Sequence, residues 1–375
     1  MKLNKNPRVA LVHDYLNQYG GAEKTLEKIM ELFPEAPIYT GILDLSKLPK
    51  KFETRNIKTP AMNFVLKRFP KLFTFLMASR FEDFDLSNYD LIISDGTAWA
   101  KSVITNSDQL HISYVHTPPR FLYKYSTEST LRKNILLMPL FAYLDFYLRI
   151  WDFSAAKRPD FLIANSKEVQ KRIKKFYKRE SIVIYPPVET SKFNEANDIR
   201  NYYVISGRLS SYKNFDLVVE LFNNIEKKLV VIGTGIEEKN LKNLAKKNIK
   251  FLGKVLNEEL HEVLSHAKGY LFPVKEEDFG IAPVEALSHG IPVLAHRSGG
   301  PLETILENKD GLFFDEIDLD SLTNKFLEFD KKINENFFDR KEISERAQKF
   351  NEKYFIKNLS DFIEDKWNSF SEKNN

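Results

Sequence analysis

Two glutamates set eight residues apart, Glu277 and Glu285, mark the segment of this chain best suited to chemistry. They lie in FPVKEEDFGIAPVEALSHGIPVLAHRSGGPLE, residues 272–303, where a predicted strand is followed by a loop and a predicted helix. Amide groups at a helix N-terminus suit a diphosphate, and Gly280 lets the backbone approach a ligand closely. A carboxylate one turn into the helix can accept hydrogen bonds from two hydroxyls. The pattern predicts a site for a ligand with a diphosphate and a ribose-like diol.

Two cations and two glycines follow other predicted strands. Arg208 and Lys213, in ISGRLSSYKN, precede a predicted helix, where positive charge is unfavourable unless an anion lies beside it. We interpret them as an anion-binding pair rather than as ordinary surface cations. Gly20 and Gly21 follow the first predicted strand, where they could simply form a tight turn.

The elements that must position these residues are short runs of Ile, Leu and Val alternating with helical patterns, as in parallel sheets buried on both faces. A first series of strands is predicted at residues 8–12, 89–94, 110–115, 160–164 and 182–185. A second series is predicted at residues 202–206, 229–233, 249–253, 269–272 and 292–295, with helices at 215–226, 239–246, 257–267 and 282–289.

Two successive series of this kind predict an α/β protein with two doubly wound, Rossmann-like domains. We place the N-terminal domain at residues 1–190 and the C-terminal domain at 191–350. Ligands of such sheets bind at the carboxyl ends of the strands, so we expect the two domains to face each other across a ligand-binding cleft. An amphipathic tail at about 351–375 is expected to pack back on the N-terminal domain.

Composition narrows the class of protein. The 43% hydrophobic and 29% charged residues are typical of a soluble globular chain, and the absence of cysteine excludes Cys-based metal sites and nucleophiles. Residues 1–190 carry 29 Lys and Arg against 20 Asp and Glu, whereas residues 191–375 carry 27 against 32. This asymmetry fits an anionic partner for the first half, or an ordinary solvated surface. We expect no membrane-spanning segment, because that needs about 20 apolar residues.

The motifs resemble those of a known family. Glu277 and Glu285 form E-x7-E within EDFGIAPVEALSHGIPV, which looks like the signature of family 4 retaining glycosyltransferases of the GT-B fold. The basic pair in ISGRLSSYKN, the turn GGAE at residues 20–23, ANS at 164–166 and YPPV at 185–188 are similar to motifs of the same family, in the same order. The run HTPPRFLYKY at 116–125 is closest in look to bacterial mannosyltransferases of polysaccharide and O-antigen assembly.

The resemblance implies a role for each residue. Glu285 would bind the ribose of a nucleoside diphosphate sugar, and Glu277 would contact the donor sugar near the reacting carbon. His116 would lie beside that sugar, so Glu277 and His116 are the catalytic candidates. The implied donor-binding residues are Gly20, Gly21, Arg208, Lys213, Phe279, Gly280, Ile281 and Glu285. The family retains anomeric configuration without an established protein nucleophile, and we assign none.

The resemblance further implies transfer of a hexose, with mannose from GDP-mannose the first candidate, to a polyprenyl-diphosphate-linked glycan in cell-surface polysaccharide assembly. We expect no metal and no cofactor besides the nucleotide sugar, because the two cations and the helix dipole already supply positive charge. The basic, apolar stretch at residues 64–80, together with 134–151, suggests a peripheral protein on the anionic inner face of the cytoplasmic membrane, although both stretches could instead pack on the N-terminal sheet. The lipopolysaccharide pathway is one such setting.

Several alternatives stay open or are set aside. A nucleotide-sugar epimerase of the same fold would need no acceptor, and a catalytically silent scaffold would bind without turnover. Asp318 and Asp320 form a DxD pattern, which we interpret as a helix start rather than a metal site. The glycines at 233 and 235 lack the third glycine of a dinucleotide loop. Residues 1–190 carry an excess of positive charge but contain no nucleic-acid recognition motif. His13, His289 and His296 have no metal-ligand spacing and are read as structural or donor-lining.

Overall fold

The fold is described from a computed structural model of the chain, for residues 2–60, 76–125, 138–190 and 201–373. The chain divides into two compact units, residues 1–187 with 352–375, and residues 188–351. The boundary expected between 190 and 191 thus lies three residues from the one that the contacts define. Each unit is a parallel sheet covered by helices on both faces, as the alternation of strands and helices predicted.

The first unit is built on a seven-stranded parallel sheet in the order β3-β2-β1-β4-β5-β6-β7. Its strands are β1 Val9–His13, β2 Ile38–Thr40, β3 Ile57–Lys58, β4 Leu91–Gly96, β5 Leu110–Val115, β6 Phe161–Ala164 and β7 Ile182–Val183. Its helices are α1 Gly21–Leu32, α2 Met77–Glu82, α3 Met138–Ala155, α4 Lys167–Tyr177 and, from the end of the chain, α12 Glu352–Lys373. Strands β2 and β3, which the sequence analysis did not predict, are only three and two residues long.

Successive residues of the central strands face opposite sides of this sheet, as strand geometry requires. Leu11 and Ile93 belong to a core that also takes in α1 and α12, whereas Val12 and Ile92 belong to a core with α2. The last helix contributes Phe355, Leu359, Ile363 and Trp367 to the first core. The indole Nε1 of Trp367 also donates to the carbonyl of Asn4, at 2.7 Å. The C-terminal helix is therefore part of the first unit.

The second unit is a six-stranded parallel sheet in the order β10-β9-β8-β11-β12-β13. Its strands are β8 Tyr202–Ser206, β9 Lys228–Ile232, β10 Ile249–Gly253, β11 Gly269–Phe272, β12 Val293–His296 and β13 Gly311–Phe314. Its helices are α5 Phe215–Asn224, α6 Glu238–Leu244, α7 Asn257–Ser265, α8 Ile281–Ser288, α9 Pro301–Thr304, α10 Leu319–Asn334 and α11 Arg340–Ala347. Strand β13 was not predicted.

Two helices begin at motifs singled out in the sequence, and the first confirms the helix start expected at Asp318. Asp318 caps α10, where its carboxylate accepts a hydrogen bond from the amide of Ser321 at 2.7 Å. In the ANS turn, the hydroxyl of Ser166 caps α4 by accepting from the amide of Val169 at 3.0 Å. The first aspartate of the DxD pattern is thus the N-cap of a helix.

Candidate functional site

Three loops of the second unit meet at the carboxyl edge of its sheet because β8, β11 and β12 are neighbours. The first loop follows β8 and carries Arg208 and Lys213, the second follows β11 and carries Glu277, and the third follows β12 and carries residues 298–300. Asn214 ties the first two loops together, because its side-chain amide donates to the carbonyl of Pro273 at 2.9 Å. Parallel topology therefore brings together residues that are about 60 positions apart, 59 for Asn214 and Pro273 and 64 for Lys213 and Glu277.

The central contact of this edge is an ion pair between Lys213 and Glu277. The Lys213 Nζ lies 2.6 Å from Glu277 Oε2, and the two side chains are only 13% and 20% exposed. Burial is the largest single effect on the pKa of Lys213 and works to lower it, but the charge and hydrogen bond of Glu277, together with the charges of Tyr212 and Asp278, raise the pKa overall. The lysine is therefore held as a cation in a partly desolvated place, where its charge acts more strongly on a ligand than in bulk water. Arg208, by contrast, has an exposed side chain.

Two glycines of the third loop fix the position of the Glu277 loop. Gly299 has φ +65°, and a Cβ there would lie 2.3 Å from the carbonyl oxygen of Glu277. A Cβ on Gly300 would lie equally close to the carbonyl oxygen of Phe279, and the Gly300 amide donates to the Glu277 carbonyl at 2.8 Å. Only glycine permits this close backbone approach. The loop that carries Glu277 is consequently held by backbone contacts with residues 299–300.

Helix α8 begins directly after this loop and presents the third candidate feature. Gly280 precedes it with φ +90°, and Ile281 is its first residue. The first amides of a helix have no partner within that helix and carry partial positive charge, so they suit an anion. Glu285 lies in the second turn and is buried. The ring of Phe279 packs inward against Phe350, so its predicted contribution would come from its backbone alone.

Glu277 and Glu285 act on one common neighbour, Tyr270 of β11. Burial raises the pKa of this phenol, and the charges of Glu285 and Glu277 raise it further. The hydroxyl of Tyr270 contacts Ser206 Oγ at 2.8 Å, at the end of β8. The E-x7-E pair, the lysine and the helix start thus occupy one edge of one sheet.

The candidates of the first unit also lie at the carboxyl edge of their sheet. Gly20 precedes α1, and its amide donates to Glu23 Oε2 at 2.7 Å, which forms the capping arrangement of that helix. Gly21 is the first residue of α1. His116 directly follows β5, and its amide donates to the carbonyl of Gly96 at 3.0 Å. The glycine turn and His116 lie at the ends of β1 and β5, with β4 between those strands.

A buried charged chain, which sequence reasoning missed, links the glycine turn to His116. His13 Nδ1 lies 2.9 Å from Asp95 Oδ2, and His116 Nε2 lies 2.7 Å from Asp95 Oδ1. His13 Nε2 lies 3.9 Å from Glu23 Oε1. Burial works to lower the pKa of His13, but hydrogen bonds and charges of Asp95 and Glu23 raise it to about 10. The one sequence signal was Asp95 itself, an acidic residue at the end of an apolar strand.

The residues described in both units contain no group of three or more His, Asp or Glu side chains arranged to hold a metal ion. The polar groups at these two sheet edges include a lysine, carboxylates, imidazoles and backbone amides. In the second unit these groups can bind a diphosphate and a diol. In the first unit they place an imidazole beside a carboxylate.

Comparison with known proteins agrees with this chemistry. Residues 188–350 match the family described as Glycosyl transferases group 1. An uncharacterized glycosyltransferase of Methanocaldococcus jannaschii is 26% identical over 204 residues, which cover 53% of this chain and 57% of that protein. A GDP-mannose-dependent alpha-mannosyltransferase of Corynebacterium glutamicum is 33% identical over 112 residues, 30% of this chain and 27% of that protein. The chain thus spans well under two thirds of the length of these two relatives.

A longer match is to an alpha-1,3/1,6-mannosyltransferase of Dictyostelium discoideum, 23% identical over 337 residues, with 75% of this chain and 76% of that protein covered. Among solved structures, Anabaena HepE in complex with UDP-glucose is similar with a TM-score of 0.68 at 17% identity, over 95% of this chain and 99% of that one. Sucrose-phosphate synthase of Thermosynechococcus elongatus is similar with a TM-score of 0.72 at 16% identity, over 96% and 100%. These likenesses show the GT-B fold, and residues 188–350 are similar to the group 1 glycosyltransferase family.

Proposed function

We propose that this protein is a retaining glycosyltransferase that moves a hexose from a nucleoside diphosphate sugar to a lipid-linked glycan. The observation that carries the proposal is the partly buried Lys213–Glu277 ion pair beside the start of helix α8, which also carries Glu285. A cation held at 2.6 Å by a carboxylate is stable without a ligand and needs little rearrangement to meet a diphosphate. The match of residues 188–350 to the group 1 family supports the same assignment.

In this mechanism Lys213, Arg208 and the amides of Gly280 and Ile281 bind the diphosphate and stabilise the charge that it gains as the anomeric bond breaks. Glu285 accepts hydrogen bonds from the ribose hydroxyls. Glu277 binds hydroxyls of the donor sugar and stabilises positive charge at the reacting carbon. The acceptor hydroxyl attacks on the face that the phosphate leaves, and a phosphate oxygen takes the proton. The anomeric configuration is thereby retained with no protein nucleophile and no metal.

Mannose from GDP-mannose is our first candidate for the donor. The names of two relatives support it, the GDP-mannose-dependent enzyme of Corynebacterium glutamicum and the alpha-1,3/1,6-mannosyltransferase of Dictyostelium discoideum. The structural neighbour HepE was solved with UDP-glucose, so UDP-glucose is the comparison donor. A panel of GDP-mannose, UDP-glucose and their free nucleotides therefore separates the two donor classes.

The acceptor that we propose is a polyprenyl-diphosphate-linked glycan at the inner face of the cytoplasmic membrane. Helix α3 supports a lipid-facing surface, because large apolar side chains along it are more than half exposed: Met138, Leu140, Tyr143, Phe146, Tyr147 and Ile150. Such a helix can lie in a membrane interface. Residues 64–75 of the basic stretch, which include Lys67, Arg68 and Lys71, lie outside the described residues. Across the described helices, none has both the length and the apolar character needed to cross a bilayer.

The test is transfer of labelled hexose from each donor into lipid-linked glycan extracted from bacterial membranes. We expect transfer from GDP-mannose, and we expect Glu277→Gln and Glu285→Gln to lower it by a factor of about 10²–10³, the usual effect of removing one transition-state contact. Lys242→Ala is the matched control, because Lys242 forms an exposed ion pair with Glu238 on α6 of the same unit. Normal transfer by either glutamine variant would overturn the proposed roles.

Other outcomes would replace parts of the proposal. Transfer from UDP-glucose but not from GDP-mannose would show that the proposed donor is wrong, whereas the proposed acceptor and site residues would be unaffected. Consumption of the donor without acceptor, with a changed sugar in the nucleotide product, would indicate an epimerase. Nucleotide binding without turnover in the presence of membranes would indicate a scaffold.

A further inference from the structure

Glu276, the residue before the catalytic candidate Glu277, has an unusual backbone. Its φ is +58°, in the left-handed region that residues with a Cβ seldom occupy. Its amide donates to the hydroxyl oxygen of Ser298 at 2.9 Å, and the amide of Gly300 donates to the carbonyl of Glu277 at 2.8 Å. The loop after β12 therefore holds this strained turn, and with it the backbone from which Glu277 reaches Lys213.

The hydroxyl of Ser298 is in turn fixed by His296, at the end of β12. His296 Nδ1 lies 2.7 Å from Ser298 Oγ, and His296 Nε2 lies 3.1 Å from the carbonyl oxygen of Asp315. A carbonyl oxygen only accepts hydrogen bonds, so Nε2 carries a proton and donates it there. In neutral His296 the lone pair is then on Nδ1, and the Ser298 hydroxyl donates to it.

The surroundings of His296 keep its ring neutral. The residue is 4% exposed, and this burial is the largest effect on its pKa and lowers it. The charge of Lys275 lowers the pKa as well, whereas the carbonyl of Asp315 and the charges of Glu316 and Asp315 raise it. The pKa lies below its ordinary value of 6.5 as a result, so the imidazole is neutral at neutral pH. The direction of each hydrogen bond between Glu276 and Asp315 is thereby fixed.

We propose that His296 and Ser298 are positioning residues for Glu277. Neutral His296 orients the Ser298 hydroxyl so that its oxygen accepts the Glu276 amide, and this contact stabilises the turn that places the Glu277 carboxylate. A hydroxyl that donates one hydrogen bond is a better acceptor for another. The inference rests on the proposed function, in which Glu277 contacts the donor sugar. The sequence analysis interpreted His296 only as structural or donor-lining.

A double-mutant cycle at Ser298 tests the positioning role. Ser298→Ala should lower kcat for sugar transfer about 10- to 100-fold, because a small misplacement of a catalytic group has an effect of that size. The Kd for the free nucleoside diphosphate should change less than about threefold, since Glu277 is assigned to the sugar. In a Glu277→Gln background Ser298→Ala should change kcat less than about threefold, because Ser298 acts through Glu277. Equal losses in both backgrounds would show a merely structural effect and overturn the proposal.

The matched control is Ser265→Ala, which removes a hydroxyl that donates to a carbonyl within α7 of the same unit. It should leave kcat unchanged, and a loss as large as that in Ser298→Ala would also overturn the proposal.

Two substitutions of His296 separate the acceptor at Nδ1 from the bulk of the ring. His296→Asn offers a carbonyl oxygen to the Ser298 hydroxyl and should keep kcat within about threefold of the wild type. His296→Leu offers no acceptor and should lose as much activity as Ser298→Ala. Equal kcat values in the Asn and Leu variants would contradict the proposal.

A measurement without turnover separates this inference from the proposed function. In wild-type protein labelled with 15N-histidine, the ring nitrogens of His296 should show a proton on Nε2 and none on Nδ1 at neutral pH. Their signals are identified through assignment of the backbone resonances. A proton on Nδ1 would overturn the proposal, even if neither His296 variant folds. Wild-type protein that has the expected tautomer but transfers no sugar from any donor would instead refute the proposed function, and the role of Glu277 with it.

Discussion

Replacement of Lys213 by alanine tests the donor site most directly. Lys213 is the partly buried cation of that site, and its Nζ lies 2.6 Å from Glu277 Oε2. Alanine removes the positive charge that we assign to the diphosphate and leaves Glu277 without this partner. The variant should bind nucleoside diphosphates weakly, because an unpaired carboxylate beside the diphosphate repels it.

The expected loss can be estimated from the contact. A nucleotide at a hundredfold excess over its Kd stabilises the native protein by about 2.7 kcal/mol. Removing a hydrogen bond to a charged group costs about 1.5–3 kcal/mol, which raises Kd by a factor of about 10–100. At the same nucleotide concentration the stabilisation then falls to about 0.4–1.4 kcal/mol. For a unit of this size the shift in Tm falls from about 5–11 °C to about 1–6 °C.

The assay is a thermal-shift panel with GDP, UDP, ADP and their sugars on wild type, Lys213→Ala and Lys242→Ala. The exposed pair of Lys242 with Glu238 makes this second variant a control for loss of a lysine in the same unit. We expect one nucleotide family to shift the wild type and the control equally and to shift Lys213→Ala much less. Equal shifts in all three proteins would refute the assignment of Lys213 to the diphosphate.

Three further predictions concern stability. Gly299→Ala should lower the free energy of unfolding of the second unit, measured in urea, by about 2–4 kcal/mol. The backbone at this position has φ +65°, which is strained for any residue with a Cβ, and that Cβ would lie 2.3 Å from the carbonyl oxygen of Glu277. Gly253→Ala, with φ +72° and nothing within 4 Å of its Cβ, isolates the strain and should cost about 1–2 kcal/mol. Because the folded pKa of His13 is raised from 6.5 to about 10, its contribution to stability is complete below pH 6.5 and is lost as the pH rises towards 10. Unfolding free energies at pH 7 and 9.5 should therefore differ by about 2–3 kcal/mol more in wild type than in His13→Gln, and equal differences would contradict the assignment. Trp367→Ala should cost about 3–5 kcal/mol in the first unit, followed by thermal unfolding, because a large buried side chain leaves a cavity.

Much of the fold was predictable because the central strands are continuous apolar runs. The strands at residues 110–115, 202–206, 249–253 and 269–272 have the bounds expected from the sequence. The strands that were not predicted are Ile38–Thr40, Ile57–Lys58 and Gly311–Phe314, all at or next to a sheet edge and two to four residues long. Strands Ile38–Thr40 and Ile57–Lys58 are too short to show periodicity, and their pairing is decided by the neighbouring strand.

The candidate site was predictable in its parts but not in its contacts. Glu277, Glu285 and Lys213 were singled out by motif, yet only parallel topology shows that Lys213 and Glu277 touch across 64 positions of sequence. Asp95 was missed, and so was its contact with His13, which was interpreted as structural or donor-lining; 82 positions separate these two residues. Register brings them together, because His13 pairs with Asp95 across β1 and β4. Single-sequence patterns carry no information about register between distant strands.

The path of the chain has a consequence for biosynthesis. Residues 188–351 form a unit of their own, and helix α12, which completes a core of the first unit, is translated only after all of them. At about 5–20 residues per second, the ribosome needs about 8–30 s to make that intervening unit. During this interval the surface that Phe355, Leu359 and Trp367 will cover is open, while the second unit already has every strand it needs. The later unit is therefore expected to fold first on the ribosome, and the earlier one to depend on chaperones until α12 emerges.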